Sequence, residues 1–412
     1  MHRLTMLLPA LLAACSGGPR LGEAVTVARA NAANPTVAVD SATGRVYVVW
    51  VQQAADSGWD VYLAGSDSAG AFAAPVRVND RPGEAMVATE NPPQVVVAGD
   101  GGVVVAWVTN LRPDSAVVSD ISVRLARSDD QGRSFGAVAT FAGAPTGLSR
   151  ANMYYDLAAG PGGTLYLSWL DLHWYTDTVA HRTLHHVPDS VPVPEDRVEF
   201  RVAASHDGGR SFTAGVVLDT VSCICCRTAV ASGPDGRVHA LWRHVFDGSV
   251  RDFLSASSDD GAASFAPPVR VHEDGWVLNG CPDTGGDLVV DGAGVVHAAW
   301  YTGAPGRVGL WYARGDGSAG GFAAPVRLLP SGHLPPAHVK LTASGTTVWG
   351  IWEDRRVAPA ELRFGVPGAG AGRSLGAGQA PAIAAAGGRL AVAYARDGAV
   401  LVRAATVSRE PS

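Results

Sequence analysis

One short pattern recurs along the 412-residue chain: a turn, an apolar strand, and an aromatic residue at its end. The copies are "GRVYVVW" ending at Trp50, "GVVVAW" at Trp107, "GTLYLSW" at Trp169, "GRVHALW" at Trp242, "GVVHAAW" at Trp300, "TTVWGIW" at Trp352 and "GRLAVAY" at Tyr394. Each follows a short apolar stretch such as "PTVAVD" (35–40) and precedes a third strand such as "DVYLAGSD" (60–67). A fourth recurs in "APVRVND" (74–80), "PPVRVHED" (267–274) and "APVRLLP" (324–330). Units of this kind cannot bury their faces alone and must stack on their neighbours. Short antiparallel strands in tandem groups of four describe the blades of an all-β propeller. Seven four-stranded blades are predicted, or six if two weaker C-terminal units merge.

The last unit supplies only three strands, ending in "AVLVRAATV" (399–407), while "EAVTVARA" (23–30) has the form of the missing fourth. An open ring would leave unpaired strand edges that template aggregation. The N-terminal strand is therefore expected to close the last blade, giving one propeller domain over 23–407 and a tail over 408–412. Upstream, "MHRLTMLLPALLAACSGG" joins Arg3 to an apolar run from Leu4 to Ala14, too short to span a bilayer. Residues 1–14 read as an export signal. Leu12-Ala13-Ala14-Cys15 resembles the bacterial lipobox, which implies lipidation of Cys15, a tether over 15–22, and attachment to the bacterial cell envelope at the outer membrane or its periplasmic face. The membrane is then met through the anchor alone, and a monomer is expected. A net charge of −6 argues against a nucleic-acid partner. Of the 32 basic residues only Lys340 is lysine.

A second motif lies between third and fourth strands: "SDDQGRSF" (128–135), "SHDGGRSF" (205–212), and looser copies at "SSDDGAASF" (257–265) and "SDSAGAF" (66–72). Ser and Asp side chains that bond their own backbone, with a glycine at a left-handed position, hold a tight turn. The pattern Ser-x-Asp-x-Gly-x-Ser-Phe resembles the Asp-box, or BNR repeat, of bacterial sialidases and their relatives. The resemblance implies a sialidase-like propeller with the boxes on the face opposite the ligand pocket. If the chain is an enzyme, it implies a glycoside hydrolase of the exo-alpha-sialidase type. The Arg-Ile-Pro element that opens sialidases has no match in 21–50, and no Tyr–Glu pair is assigned by motif.

On a propeller of this kind the functional face is built by the links between second and third strands and between successive blades. "SCICCR" (222–227) lies in the link from the third blade to the fourth, and "GCPDTGG" (280–286) in the next. All the cysteines after Cys15, namely Cys223, Cys225, Cys226 and Cys281, thus fall on one face. His173, His181, His185, His186, His244, His272, His333 and His338 share it. Export favours disulfides, with Cys281 bridging to the triple cluster. The alternative is a soft or borderline metal, copper or zinc, held by the four cysteines and His244. No cofactor is required by the sequence. The long link 170–197, with two aromatics and four histidines, is expected to be a lid or ligand-contacting flap.

Candidate catalytic residues on this face are Tyr155, Asp156, Arg227, Arg243, Glu353 and Arg355. His173, Arg227, Arg243, His244 and Arg251 are the ligand-binding candidates, since guanidinium groups hold anions bidentately. The function these residues point to is recognition, and possible hydrolysis, of a glycan or other polar anionic ligand. The competing readings are a Cys/His metal-binding or redox accessory protein and a protein-binding scaffold.

Overall fold

A computed structural model describes residues 19–54, 58–112, 120–141, 150–186, 197–317, 320–329 and 335–407. Residues 1–14, expected to be an export signal, with Cys15, His333 and the tail over 408–412, lie outside the described residues. Among the described residues no helix is long and apolar enough to cross a membrane.

The strands group in fours seven times, six of them in sequence order. The first blade is Ala32–Val39, Val46–Gln53, Trp59–Gly65 and Val76–Arg77, and the third is Arg150–Ala159, Leu165–Asp171, Glu199–Ser205 and Val216–Asp219. A short parallel contact, Asp120 beside Arg150 and Ile121 beside Ala151, joins the second blade's sheet to the third's. Innermost strands touch in succession around the ring, from Ala32–Val39 through to Gln379–Ala386, which packs back on Ala32–Val39. The seventh blade has three consecutive strands, and Val25–Ala28 adds the fourth antiparallel to Ala399–Thr406, pairing Val25 with Val402 and Ala28 with Val400.

Second strands are apolar on both faces because each blade is covered by a neighbour on either side. Trp50, Trp107, Trp169, Trp242, Trp300, Trp352 and Tyr394 are all fully buried. Three of the indoles also place their N–H: Trp50 Nε1 donates to Gln52 Oε1 at 3.1 Å, Trp242 Nε1 to Asp219 at 2.5 Å and Trp300 Nε1 to Asp274 at 2.6 Å. At the outer rim several fourth strands shrink to two residues, which leaves little open edge for another chain to pair with.

The serine-aspartate turns share one hydrogen-bond plan. Ser128 Oγ accepts from Gly132 N at 2.8 Å, and Asp130 accepts from Ser134 N at 2.9 Å and Ser134 Oγ at 2.6 Å. Ser205–Asp207–Ser211 and Ser258–Asp260–Ser264 repeat it. The residue after the central dipeptide has positive φ each time: Gly132, Gly209 and, in the third copy, Ala262.

Candidate functional site

The residues that precede or open the inner strands form a ring around one end of the central channel. Asn34, Tyr154 and Ala380 occupy equivalent places there, Asp283 precedes the strand Asp287–Val290, and all four have φ between 47° and 54°. Register breaks coincide with it between Ala33 and Thr36, Met153 and Asp156, and Gln379 and Ala382. Left-handed backbone is unfavourable for a residue with a Cβ, and its recurrence shows that the bulge is part of the blade's design. In the third blade the bulge decides which tyrosine is available. Tyr155, a catalytic candidate from the sequence, is wholly buried, its hydroxyl 2.7 Å from Pro92 O and 2.8 Å from Ala106 O. Its neighbour Tyr154 is half-buried at the mouth, its amide bonded to Asn91 Oδ1 and its carbonyl receiving Thr228 N at 3.0 Å and Thr228 Oγ1 at 2.9 Å.

Charged groups cross the ring from blade to blade. Glu90 Oε2 accepts the amides of Arg227 at 2.9 Å and Gly285 at 2.6 Å, and Oε1 lies 3.0 Å from His338 Nε2. His338 Nδ1 is 3.0 Å from Glu353 Oε2, which also pairs with Arg355 Nε at 2.8 Å, while Glu353 Oε1 receives Ala380 N at 2.9 Å. Burial opposes the charge on His338, but hydrogen bonds to Glu353 and Glu90 prevail and raise its pKa to about 9. Burial likewise opposes both glutamates, yet Arg227 and His338 hold Glu90 down, and His338 and Arg355 hold Glu353 down, at about 2 in each case. Glu353 is therefore a fully buried bracing group and not an accessible acid or base. Arg355, about a third exposed, carries the network to the surface.

Arg227 is 4% exposed, and among the described residues its guanidinium makes no ion pair, with Nε lacking any hydrogen-bond partner. Its positive charge favours ionisation of both Glu90 and Asp156, which places it between the ring and the channel below. That channel, about 430 Å³, is lined by Thr36, Gln94, Asp156, Asp287, Lys340 and Thr342 among others. Lys340 Nζ pairs with Asp287 Oδ1 at 2.6 Å. Burial raises the Asp156 carboxyl above its usual range although Lys340 pulls it down.

The cysteine loops adjoin the ring. Cys225 and Cys281 form a disulfide with Cα atoms 6.1 Å apart, spanning 56 residues of sequence. Cys223 and Cys226 are free, buried, and 3.6 Å apart at sulfur. The sulfurs of Cys223, Cys225 and Cys226 all lie within 4.8 Å of one another. Arg251 Nη1 donates to Cys223 Sγ at 3.0 Å. The hydrogen bond from Cys226 lowers the Cys223 pKa to about 6 against burial, with help from Arg243 and Arg251, whereas burial and the adjacent sulfur push Cys226 well up. Tyr154 packs on these cysteines, and burial together with Asp283, Cys226 and Glu90 raises its hydroxyl to about 12, so it remains a proton donor at neutral pH.

The remaining candidates are placed differently from the expectation. Arg243 is buried and donates to the carbonyls of Arg251 at 3.1 Å, Thr284 at 3.3 Å and Tyr301 at 2.9 Å, stacked over Phe253 and Trp276. It pins the two cysteine links together and is not open to a ligand. His244 turns to Asp219, with Nδ1 2.7 Å from Oδ2, and stands outside the sulfur group. His173 is buried with Nδ1 2.7 Å from Asp171, at the start of a helix, His173–His185, that occupies the link expected to be a flap. Residues 187–196 of that link lie outside the described residues. Arg251 does face an opening: it lines a cavity of about 280 Å³ with Tyr175, Ser222, Ile224, Asn279 and Cys281. Sequence reasoning missed Glu90, which sits in "ENPPQ" (90–94) with no motif around it.

No family model and no curated protein matches the chain. Many solved structures do. It is similar to a Hadza microbial sialidase (11% identity, TM-score 0.52, covering 88% of this chain and 76% of that one). It is similar to a polysaccharide lyase family 25 ulvan lyase bound to -[GlcA(1-4)Rha3S]- (13%, 0.57, 92% and 95%). A third is the α-L-arabinanase of Penicillium chrysogenum complexed with arabinobiose (13%, 0.52, 94% and 99%). At such identities the shared property is the fold, a sialidase-like β-propeller.

Proposed function

We propose that this chain is an exported, lipid-anchored propeller that recognises an acidic or otherwise polar saccharide at the mouth of the channel, on the face of the cysteine loops. The observation that carries the reading is Arg227: a nine-tenths buried guanidinium at the ring without a carboxylate partner among the described residues. A planar cation in that state is complementary to a carboxylate or sulfate, which it binds through paired N–H donors. Tyr154 and Asp283 stand near Glu90, which holds the Arg227 amide, as a donor and an acceptor for hydroxyl groups. The named saccharide ligands of the ulvan lyase and the arabinanase support the same ligand class. The lipobox-like Leu12–Cys15 supports the anchor.

Titration calorimetry with oligogalacturonate, sialyllactose and arabino-oligosaccharide tests the ligand. Binding of an acidic member, weakened at least tenfold by Arg227→Gln with the fold intact, is the expected result, and chromatography of the same mixtures shows whether the bound sugar is cleaved. Absence of binding to every sugar, or equal binding by the variant, sinks the reading. In parallel, Cys15→Ser is expected to move the protein from the membrane to the soluble fraction.

A further inference from the structure

Four sulfur atoms occupy the cysteine loops, yet they make one disulfide. In the Cys-x-x-Cys stretch from Cys223 to Cys226, the two end sulfurs face each other at 3.6 Å with Cys225 between them in sequence. Cys225, already oxidised, lies within 4.8 Å of both. Cys281, its partner, is exposed and lines the cavity that also holds Arg251. Two guanidinium groups, Arg251 at 3.0 Å from Cys223 Sγ and Arg243 whose carbonyl receives the Cys223 amide at 2.8 Å, flank the cluster. Fixed positive charge of that kind stabilises a thiolate and repels a metal cation.

We propose that these four cysteines form a thiol–disulfide exchange site in which the disulfide moves between Cys225–Cys281 and Cys223–Cys226, delivering a reactive thiol at Cys281 on the protein surface. The Cys223 thiolate attacks Cys225 Sγ; the Cys225–Cys281 bond breaks, and Cys281 leaves as a thiolate. Cys226 then attacks Cys223 Sγ, closing Cys223–Cys226 and releasing Cys225, which takes the proton Cys226 gives up. One disulfide is lost and one is formed, so no external oxidant or reductant is consumed. The exposed Cys281 thiolate takes a proton from water, and low-molecular-weight thiols and disulfides are the class of reagent it would meet there. The exchange stands apart from saccharide binding, because neither pairing involves Arg227 or the Glu90–His338–Glu353 chain.

Trypsin separates the outcomes, because Cys223, Cys225 and Cys226 share the peptide 211–227 and Cys281 lies alone in 271–307. The purified full chain is quenched in acid, denatured, alkylated with iodoacetamide, digested and mapped by mass spectrometry. Expected are two alkylated thiols per molecule among Cys223, Cys225, Cys226 and Cys281, with a measurable fraction of 271–307 alkylated at Cys281 and a disulfide internal to 211–227. Cys223→Ser, which removes the attacking thiolate, should reduce Cys281 alkylation at least tenfold. Should that variant fail to fold, Cys281→Ala at the exposed end serves, and should give the internal disulfide with one alkylated thiol. Equal Cys281 alkylation in wild type and Cys223→Ser, two disulfides that leave no thiol among the four cysteines, three alkylated thiols among the remaining loop cysteines in Cys281→Ala, or a stoichiometric metal released in place of the disulfide would each overturn the proposal.

Discussion

His338 stands between two carboxylates that are buried more deeply than it is, Glu90 and Glu353, and beyond them lie the charged groups Arg227, Arg355 and Asp283. Its folded pKa is raised from 6.5 to about 9, so the stability it contributes is complete below about pH 6.5 and is lost as pH rises through about 9. The glutamates contribute in the opposite sense, fully above about pH 4.5 and less as pH falls through about 2. Urea unfolding of the wild type at about pH 6, 7.5 and 9 should therefore show stability falling with pH, and His338→Gln should be weaker at pH 6 with a flatter profile. A variant keeping the full slope would assign it to other groups. Single residues were also where the sequence was hardest to read. A period of two puts Tyr155 on one face and Tyr154 on the other, but which face meets the channel depends on a bulge that no local residue announces. Glu90 matters only because the inner strands of distant blades converge on it.

At the scale of strands and turns the sequence was far more legible, since burial on both faces and a fixed aromatic leave a pattern that survives drift. Turn chemistry was equally plain in the serine-aspartate boxes. Helix His173–His185 was not foreseen: its sequence is polar, lacks an apolar stripe, and has no side-chain N-cap. The boxes also make an energetic prediction. A Cβ on Gly209 would adopt φ 87° and meet Leu165 at 3.0 Å and Val104 at 3.1 Å, whereas one on Gly236, φ 83°, meets nothing within 4 Å. Gly209→Ala should thus cost about 2–4 kcal/mol, combining backbone strain with overpacking, and Gly236→Ala only about 1–2 kcal/mol. Equal losses in denaturant midpoints would show that packing around the box does not matter.

For the whole molecule, ring closure joins residues from opposite ends of the chain: Val25 pairs with Val402 and Thr26 with Leu401. Removing residues up to Ala30 should lower the urea midpoint of the entire domain and raise light scattering on standing, because strand Ala399–Thr406 becomes an open edge. An unchanged midpoint would mean that the remaining contacts suffice. The ring was predictable because repeats and a missing strand are global properties of a sequence; the identity of what enters the channel is not. Lys340, held against Asp287 inside that channel, is the sole lysine. Reagents that acylate amines, the usual means of tagging, crosslinking or immobilising a protein, therefore find no lysine handle on the outer wall. A dye that does attach to a lysine of this fold has travelled into its axis, which makes one side chain a gauge of how wide the passage opens.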